Sequence, residues 1–392
     1  MISVAEALSI ISKISYTPNI KTVLLENALG LTLSDDIKAS INMPPFRQSA
    51  MDGYALLSYP KKKYEVIGEV KAGDPKNYVL EPGQAIRIFT GARVPDNADV
   101  IVIQEHVSRS ENSITIHTDI KKSQHIRNIG EQIRKGALAL SKGTILTPAG
   151  IGFLAGLGID KVAVYLPPSV AIITTGNELV APGSVLKDGE IYESNSIQLE
   201  TVLKQVHITK ITKYIVQDEY KSTKDTIAQA IHHNDLVLIS GGISVGDYDF
   251  VKEALSELQT EELFYKIKQK PGKPLFFGST NKSLIFALPG NPASSLTCFY
   301  IYVLPTIQKM MGIINATGLE RTIKSINADF LKKGDRAQFL KAKLTDETVE
   351  VLEGQSSAML YSYAVANALI YLPEDANAIT KGSMVETILL PS

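Results

Sequence analysis

Two aspartates, Asp247 and Asp249, follow a turn dense in glycine, Ser240-Gly241-Gly242-Ile243-Ser244-Val245-Gly246. Glycine permits backbone angles closed to other residues and lets a ligand approach the main chain. Carboxylates beside such a turn suit a hard cation bridging to anionic oxygens. The same pair also suits solvated aspartates capping a helix, and spacing alone does not choose. Three motifs fail on these residues. Gly241 and Gly246 have the outer-glycine spacing of a P-loop, but Asp247-Tyr248 stands where Lys-Ser/Thr would grip phosphate. Gly242-Ile243-Ser244-Val245-Gly246 fits a nucleophile elbow, yet the last histidine, His233, precedes the serine instead of following it. A G-x-G-x-x-G dinucleotide fingerprint is absent.

Further polar loops carry Thr175-Gly176-Asn177-Glu178, Gln217-Asp218 and Pro289-Gly290-Asn291-Pro292. Asn291 reads as an N-cap and Pro292 as the first helical residue, leaving N–H groups that can hold an anion. A basic run, Lys266 to Lys273, lies between the second and third glycine loops. In an extended chain Lys266, Lys268 and Lys270 project on one side. Either an anion or solvent at a lysine-guarded edge strand would relieve their repulsion. Earlier in the chain, Ser49-Ala50-Met51-Asp52-Gly53 is a compact acidic turn, and Phe89-Thr90-Gly91-Ala92 could present a hydroxyl or be an ordinary turn.

The elements that must position these groups follow from periodicity. Residues 235–240 form an apolar run without alternation, the pattern of a strand buried on both faces of a parallel sheet. Runs at 170–174, 211–216 and 284–288, with helices at 195–203, 221–232, 250–258 and from 293, give βαβ alternation over 169–312. The loops TTGNEL, SGGISVGD and LPGNP then fall on one edge, at the carboxyl ends of the strands, where open α/β sheets bind ligands. Three such loops on one edge point to a phosphorylated ligand. Residues 3–14 read as a helix opened by the capping box Ser3-Val4-Ala5-Glu6, and 23–33 as a second helix. Short β runs over 64–120 read as an all-β insert, and 136–166 as a return to helix. The runs TIKSINADF, QFLKAKL, TVEVLEG, ALIYLP and MVETILL in 317–392 read as a small barrel or sandwich.

Composition narrows the chemistry. A chain of 392 residues expects two to four domains. A net charge of −1 gives no electrostatic footprint for nucleic acid. One cysteine, Cys298, excludes an intrachain disulfide and a cysteine zinc site, and fits a reducing cytosol. The six histidines show no ligand spacing, so oxygen-ligated Mg²⁺ is the natural metal candidate. No run of about 18 apolar residues reads as a membrane span, and the amino terminus lacks the pattern of a signal peptide. The expectation is a cytoplasmic protein without membrane or nucleic-acid partners.

In order along the chain, SAMDGYA, IFTGARVPDNAD, TTGNEL, IYESNS, DLVLISGGISVGDYD, KPGKP and LPGNPASS resemble the molybdopterin molybdenumtransferase family, the MoeA type also seen as the E domain of gephyrin and plant Cnx proteins. The resemblance covers essentially the whole chain. It implies Mg²⁺-dependent insertion of molybdate into adenylylated molybdopterin, giving molybdenum cofactor and AMP. It also implies an α/β multi-domain fold and an elongated homodimer. An N-terminal linking domain would span 1–43 and 137–168, and a β-rich insert 44–136. A MogA-like doubly wound α/β domain would span 169–313, and a C-terminal β-barrel-like domain 314–392. By this resemblance Asp52 and Thr90 reach the cleft from the partner subunit's insert. Glu178, Asp218 and Asp249 handle metal and nucleotide, as catalytic and metal-binding residues. Gly241, Gly242, Ser244, Gly246 and Asp247 of the central loop bind substrate, as do Lys266, Lys270 and Lys273, with Pro289, Gly290, Asn291 and Pro292. Arg336 and Ser357 match positions near the molybdate pocket. A separate MogA-type adenylyltransferase would supply the adenylylated substrate. Two positions depart from the family pattern: Arg47 stands where an Asp is frequent, and Gln132 replaces a carboxylate. An adenylyltransferase and a non-catalytic pterin-binding scaffold are the alternative readings.

Overall fold

The structure, a computed structural model, describes residues 1–243 and 250–391. The chain divides into two compact units, residues 1–21 with 165–392, and residues 22–164.

The larger unit is built on a six-stranded sheet. Its strands are β1 (Val170–Thr175), β2 (Ile211–Val216), β3 (Leu236–Ser240), β4 (Glu261–Tyr265), β5 (Phe276–Ser279) and β6 (Leu284–Leu288), in the spatial order β2-β1-β3-β6-β5-β4. The first four in that order are parallel, and β5 runs antiparallel to both of its neighbours. The near-continuous apolar runs of β1, β3 and β6 follow from burial on both faces. Val170 and Ile172 pack into one core and Ala171 and Ile173 into another. Helix α1 (Asn195–Gln205) and the continuous helical stretch 292–310 cover the first face; α2 (Tyr220–His233) and α3 (Phe250–Glu257) cover the second. Helix Val4–Lys13, capped by Ser3 and Glu6 as its sequence requires, buries Val4, Ala7 and Ile11 in the first core.

Strands β4 and β5 flank the basic run, which is not one extended strand. Lys266 adopts a left-handed conformation with φ 64°, and Gln269–Lys270 form a short strand beside Ala337–Gln338. Lys266, Lys268 and Lys270 therefore do not form a common row. Lys268 is instead paired with Glu374 at 3.0 Å and Asp335 at 3.5 Å.

The five β runs of the tail are strands Arg321–Ile326, Ala337–Leu344, Thr348–Val351, Ala368–Leu372 and Met384–Leu389, which close into a barrel. Alternation along Ala337–Leu344 sends Leu340 and Ala342 into the barrel interior and Phe339 into the core shared with the α/β sheet.

The smaller unit contains a six-stranded β insert: Gly53–Leu56, Lys63–Val70, Gln84–Ile88, Val100–Ile103, Val107–Ser110 and Ser113–Ile116. The expected helix at 23–33 is absent. That stretch holds the end of strand Ile20–Leu24, a 3₁₀ turn at Leu25–Asn27 and strand Thr32–Leu33. Its apolar residues are spaced for a helix, but β-branched Thr22 and Val23 favour strand and Gly30 reverses the chain at φ 75°. Within 136–166 only Pro148–Gly156 is helical, with strands Leu138–Leu140 and Lys161–Tyr165 on either side.

Candidate functional site

A cleft of about 560 Å³ lies at the carboxyl ends of β1, β3 and β6. Parallel register sets its floor: Thr174 pairs with Ser240 and Ser240 with Leu288, so three loops from distant parts of the chain begin at one level. Glycine lets them touch. Gly241 has φ 98°, and a Cβ there would stand 2.8 Å from the Thr175 carbonyl oxygen. A Cβ on Gly290 would meet the Gly241 Cα at 3.6 Å.

Side chains tie the loops together. Asn195, at the start of α1, donates its amide hydrogens to Ser240 Oγ at 2.8 Å and to the Gly290 carbonyl at 2.7 Å. Both N–H groups are thus committed, and Oδ1, like Thr175 Oγ1, is buried without a partner among the described residues. Asn177 Oδ1 accepts from the Asp218 backbone N–H at 3.0 Å, bringing the end of β2 to the same cleft. Buried Glu193 accepts from the Ser196 N–H at 2.7 Å and hydroxyl at 2.6 Å, fixing the entry to α1.

The cleft gathers Glu178, Asp218, Gly241, Gly242, Pro289, Gly290, Asn291 and Pro292 of the residues singled out in the sequence. Ser244, Gly246, Asp247 and Asp249 lie outside the described residues. Asn291 precedes the helix, but its side chain does not cap it; Nδ2 donates to Ser357 Oγ at 3.1 Å and so ties the barrel's 354–359 loop to the cleft rim, where Ala358 is a lining residue. The basic residues are not brought into this cleft, whose contribution from their segment is Pro274. Lys266 Nζ stands 4.6 Å from the centre of the Tyr265 ring, and Lys273 is exposed. Lys270 lines a separate hollow of about 210 Å³ with Lys333 and Gln355. Arg336 donates to the Gln269 carbonyl at 3.4 Å. Lys268 is held by Glu374, whose carboxylate raises the lysine pKa.

In the smaller unit Asp52 and Thr90 form one constellation. Asp52 Oδ1 accepts from the Thr90 backbone N–H at 2.7 Å and from its hydroxyl at 2.8 Å. These donors hold the exposed carboxyl below its ordinary pKa. Its contribution to stability is therefore present above the ordinary carboxylate range and is lost as pH falls through the lowered pKa. Arg47 donates to the carbonyls of Pro95, Asp96 and Ala98, at 3.3, 2.9 and 2.5 Å, and is committed to holding that loop. Gln132 lines a depression with Met43, Pro44, Arg127 and Glu131.

In the sequence Thr175 and Asn177 stand out only as members of a polar loop, and Asn195 only within the IYESNS motif. Nothing there assigns a role to their side chains, and no spacing rule marks Asn195, whose partners lie 45 and 95 residues away.

Three family models match in succession: MoeA N-terminal region (domain I and II) over residues 2–158, "probable molybdopterin binding domain" over 171–309, and MoeA C-terminal region (domain IV) over 326–390. A protein of Staphylococcus epidermidis named molybdopterin molybdenumtransferase is 33% identical over 411 aligned positions, covering 100% of this chain and 96% of its own length. The chain belongs to the MoeA family. A Staphylococcus aureus relative of the same name is 31% identical over 100% of this chain and 96% of its own. The crystal structure of the molybdopterin biosynthesis MoeA protein from Pyrococcus horikosii superposes with a TM-score of 0.85 at 30% identity, covering 100% of both chains. The MoeA fold thus accounts for the α/β domain and for the closed barrel. No helix among the described residues is long and apolar enough to cross a membrane.

Asn195→Ala should destabilise the protein by roughly 1–3 kcal/mol through two lost hydrogen bonds, and Asn195→Asp by more, since a carboxylate cannot donate to the Gly290 carbonyl. Urea unfolding reads both, and an aspartate variant as stable as wild type would refute the clamp. Thr90→Val removes one of the two donors to Asp52 and should raise the carboxyl pKa toward its usual value in an NMR titration; an unmoved titration would contradict the pairing.

Proposed function

We propose that this chain catalyses the insertion of molybdate into adenylylated molybdopterin, with release of AMP and Mg²⁺ as the metal. As a member of the MoeA family it is an enzyme of the transferase class, acting in molybdenum cofactor biosynthesis. The observation that carries the finer reading is the convergence of three loops from adjacent parallel strands on one polar cleft, in a chain matched end to end by its relatives.

The donors suit the metal. Glu178 and Asp218 present carboxylate oxygens on the cleft, Glu178 has no ion pair among the described residues, and Asp249 follows the central glycine loop in sequence. Mg²⁺ takes one or two carboxylates, keeps waters and completes its shell with substrate phosphates. When bound it supplies charge neutralisation and polarisation of the phosphoanhydride. Asn195 and Thr175 fix the cleft wall against which the substrate lies. The first N–H groups after Pro292 face an anionic group, as helix starts do. Lys266, Lys270, Lys273 and Arg336 lie outside this cleft, and the family resemblance alone assigns them, with Ser357 as a hydroxyl donor, to the pterin phosphate and oxyanion. Ser244, Gly246 and Asp247 of the central loop, by the family resemblance, bind substrate.

No covalent intermediate on the protein is part of this reading. Cys298 is fully buried, and burial raises its thiol pKa. Positioning and charge then carry the rate.

Asp52 and Thr90, exposed and bonded to one another, serve the cleft of a partner subunit in a homodimer. A separate MogA-type adenylyltransferase provides the substrate. The division into 1–43 with 137–168, 44–136, 169–313 and 314–392 is the domain scheme that accompanies this proposal.

With Mg²⁺, molybdate and adenylylated molybdopterin, the purified chain should release AMP. Asp218→Asn should slow release by about 100-fold, within the range seen when electrostatic stabilisation is removed. Asp52→Asn should also be slow, but mixing it with Asp218→Asn should restore activity that neither has alone, because one cleft of each mixed dimer is intact. Absence of AMP release would refute the reaction, ATP-dependent adenylylation of molybdopterin would mark an adenylyltransferase, and failure of the mixture to recover would refute the shared cleft.

A further inference from the structure

Lys341 sits in the wall of the C-terminal barrel, 2% exposed, with no carboxylate bonded to it among the described residues. Its neighbours Leu340 and Ala342 point into the barrel, so Lys341 points outward, beneath the loop 354–359. Its ammonium donates to the Gly354 carbonyl at 2.7 Å, the Met359 carbonyl at 3.0 Å and the Ser356 carbonyl at 3.1 Å. Three acceptors converging on one ammonium satisfy all of its hydrogens.

The same strand position anchors the loop a second time. Gln355 accepts from the Lys341 N–H at 3.0 Å and donates to the Lys341 carbonyl at 2.8 Å and the Leu352 carbonyl at 2.7 Å. Ser362 Oγ adds bonds to the Gly354 and Met359 carbonyls at 2.7 and 3.1 Å. Between these anchors stand the two residues that reach the cleft: Ser357, which accepts from Asn291, and Ala358 in the lining. A buried ammonium without a counter-ion is costly, and an apolar chain of similar length would fill the space with less desolvation. What such a chain could not do is gather three carbonyls and fix the loop's path.

We propose that Lys341, with Gln355, is a positioning residue of the transfer reaction: it locks the 354–359 loop to the barrel and thereby presents Ser357 to Asn291 at the cleft rim. This rests on the reading of that cleft as the place of molybdenum transfer.

The test measures AMP release against molybdate concentration for wild type, Lys341→Met, Ser357→Ala and the double variant. Lys341→Met should raise KM for molybdate about tenfold, the equivalent of one lost hydrogen bond of about 1.4 kcal/mol, with kcat within about threefold. Ser357→Ala should do the same, and the double variant should be no worse than either, since both act through one contact. A purely structural lysine would reduce the active fraction, and so apparent kcat, without moving KM. An unchanged KM in folded Lys341→Met, or additive effects in the double variant, would overturn the proposal. If Lys341→Met does not fold, Gln355→Ala takes its place: a raised KM supports the anchoring, and an unmoved KM overturns it. Wild type that releases no AMP would sink the functional reading and this inference together, whereas active wild type with indifferent variants would sink only the inference.

Discussion

The register of three adjacent parallel strands is the constraint on which the site depends. Because Thr174, Ser240 and Leu288 lie side by side, the loops that follow them start at one height and must share one space. They can share it only where side chains are missing, and Gly241 and Gly242, with positive φ and no room for a Cβ, stand there. Asn195 then fixes the arrangement by bonding the end of one strand and the loop of another at once. A slip of one residue in any of these strands would send its buried set to the wrong face and lift its loop out of the cleft.

Charge is distributed with a comparable division of labour. The carboxylates at the cleft, Glu178 and Asp218, come from loops of the α/β sheet. The cations lie on the segment between β4 and β5 and on the barrel, and they are not equivalent. Lys268 is neutralised by Glu374 and Asp335 and serves architecture, and Lys341 is consumed by backbone carbonyls. Lys268 and Lys341 therefore carry charge that the protein itself has already used.

The two departures from the family pattern read differently once their partners are known. Arg47 holds three carbonyls of the 95–98 stretch, so the cation at that position has a structural task within the insert. Gln132 keeps its backbone bond to the Met43 carbonyl while offering no charge to the depression beside it.

Much of the fold was legible in the sequence because its signals are local. Apolar runs marked strands at 170–174, 235–240 and 284–288, the βαβ alternation marked one at 211–216, five short β runs marked the barrel strands, and Ser3 with Glu6 marked the first helix. The glycine loops at strand ends located the edge where the cleft lies. A misreading fell where local signals conflict, since residues 23–33 have helical spacing but β-branched content, and strands β4 and β5, short and beside a lysine run, were not read at all. What the sequence could not state is which side chains meet. Asn195 finds Ser240 and Gly290, Asp52 finds Thr90, and Lys341 finds the 354–359 loop only after strand order and barrel closure are set. Those contacts depend on packing between elements far apart in the chain, where composition and spacing carry no information, and the tertiary structure alone decides them.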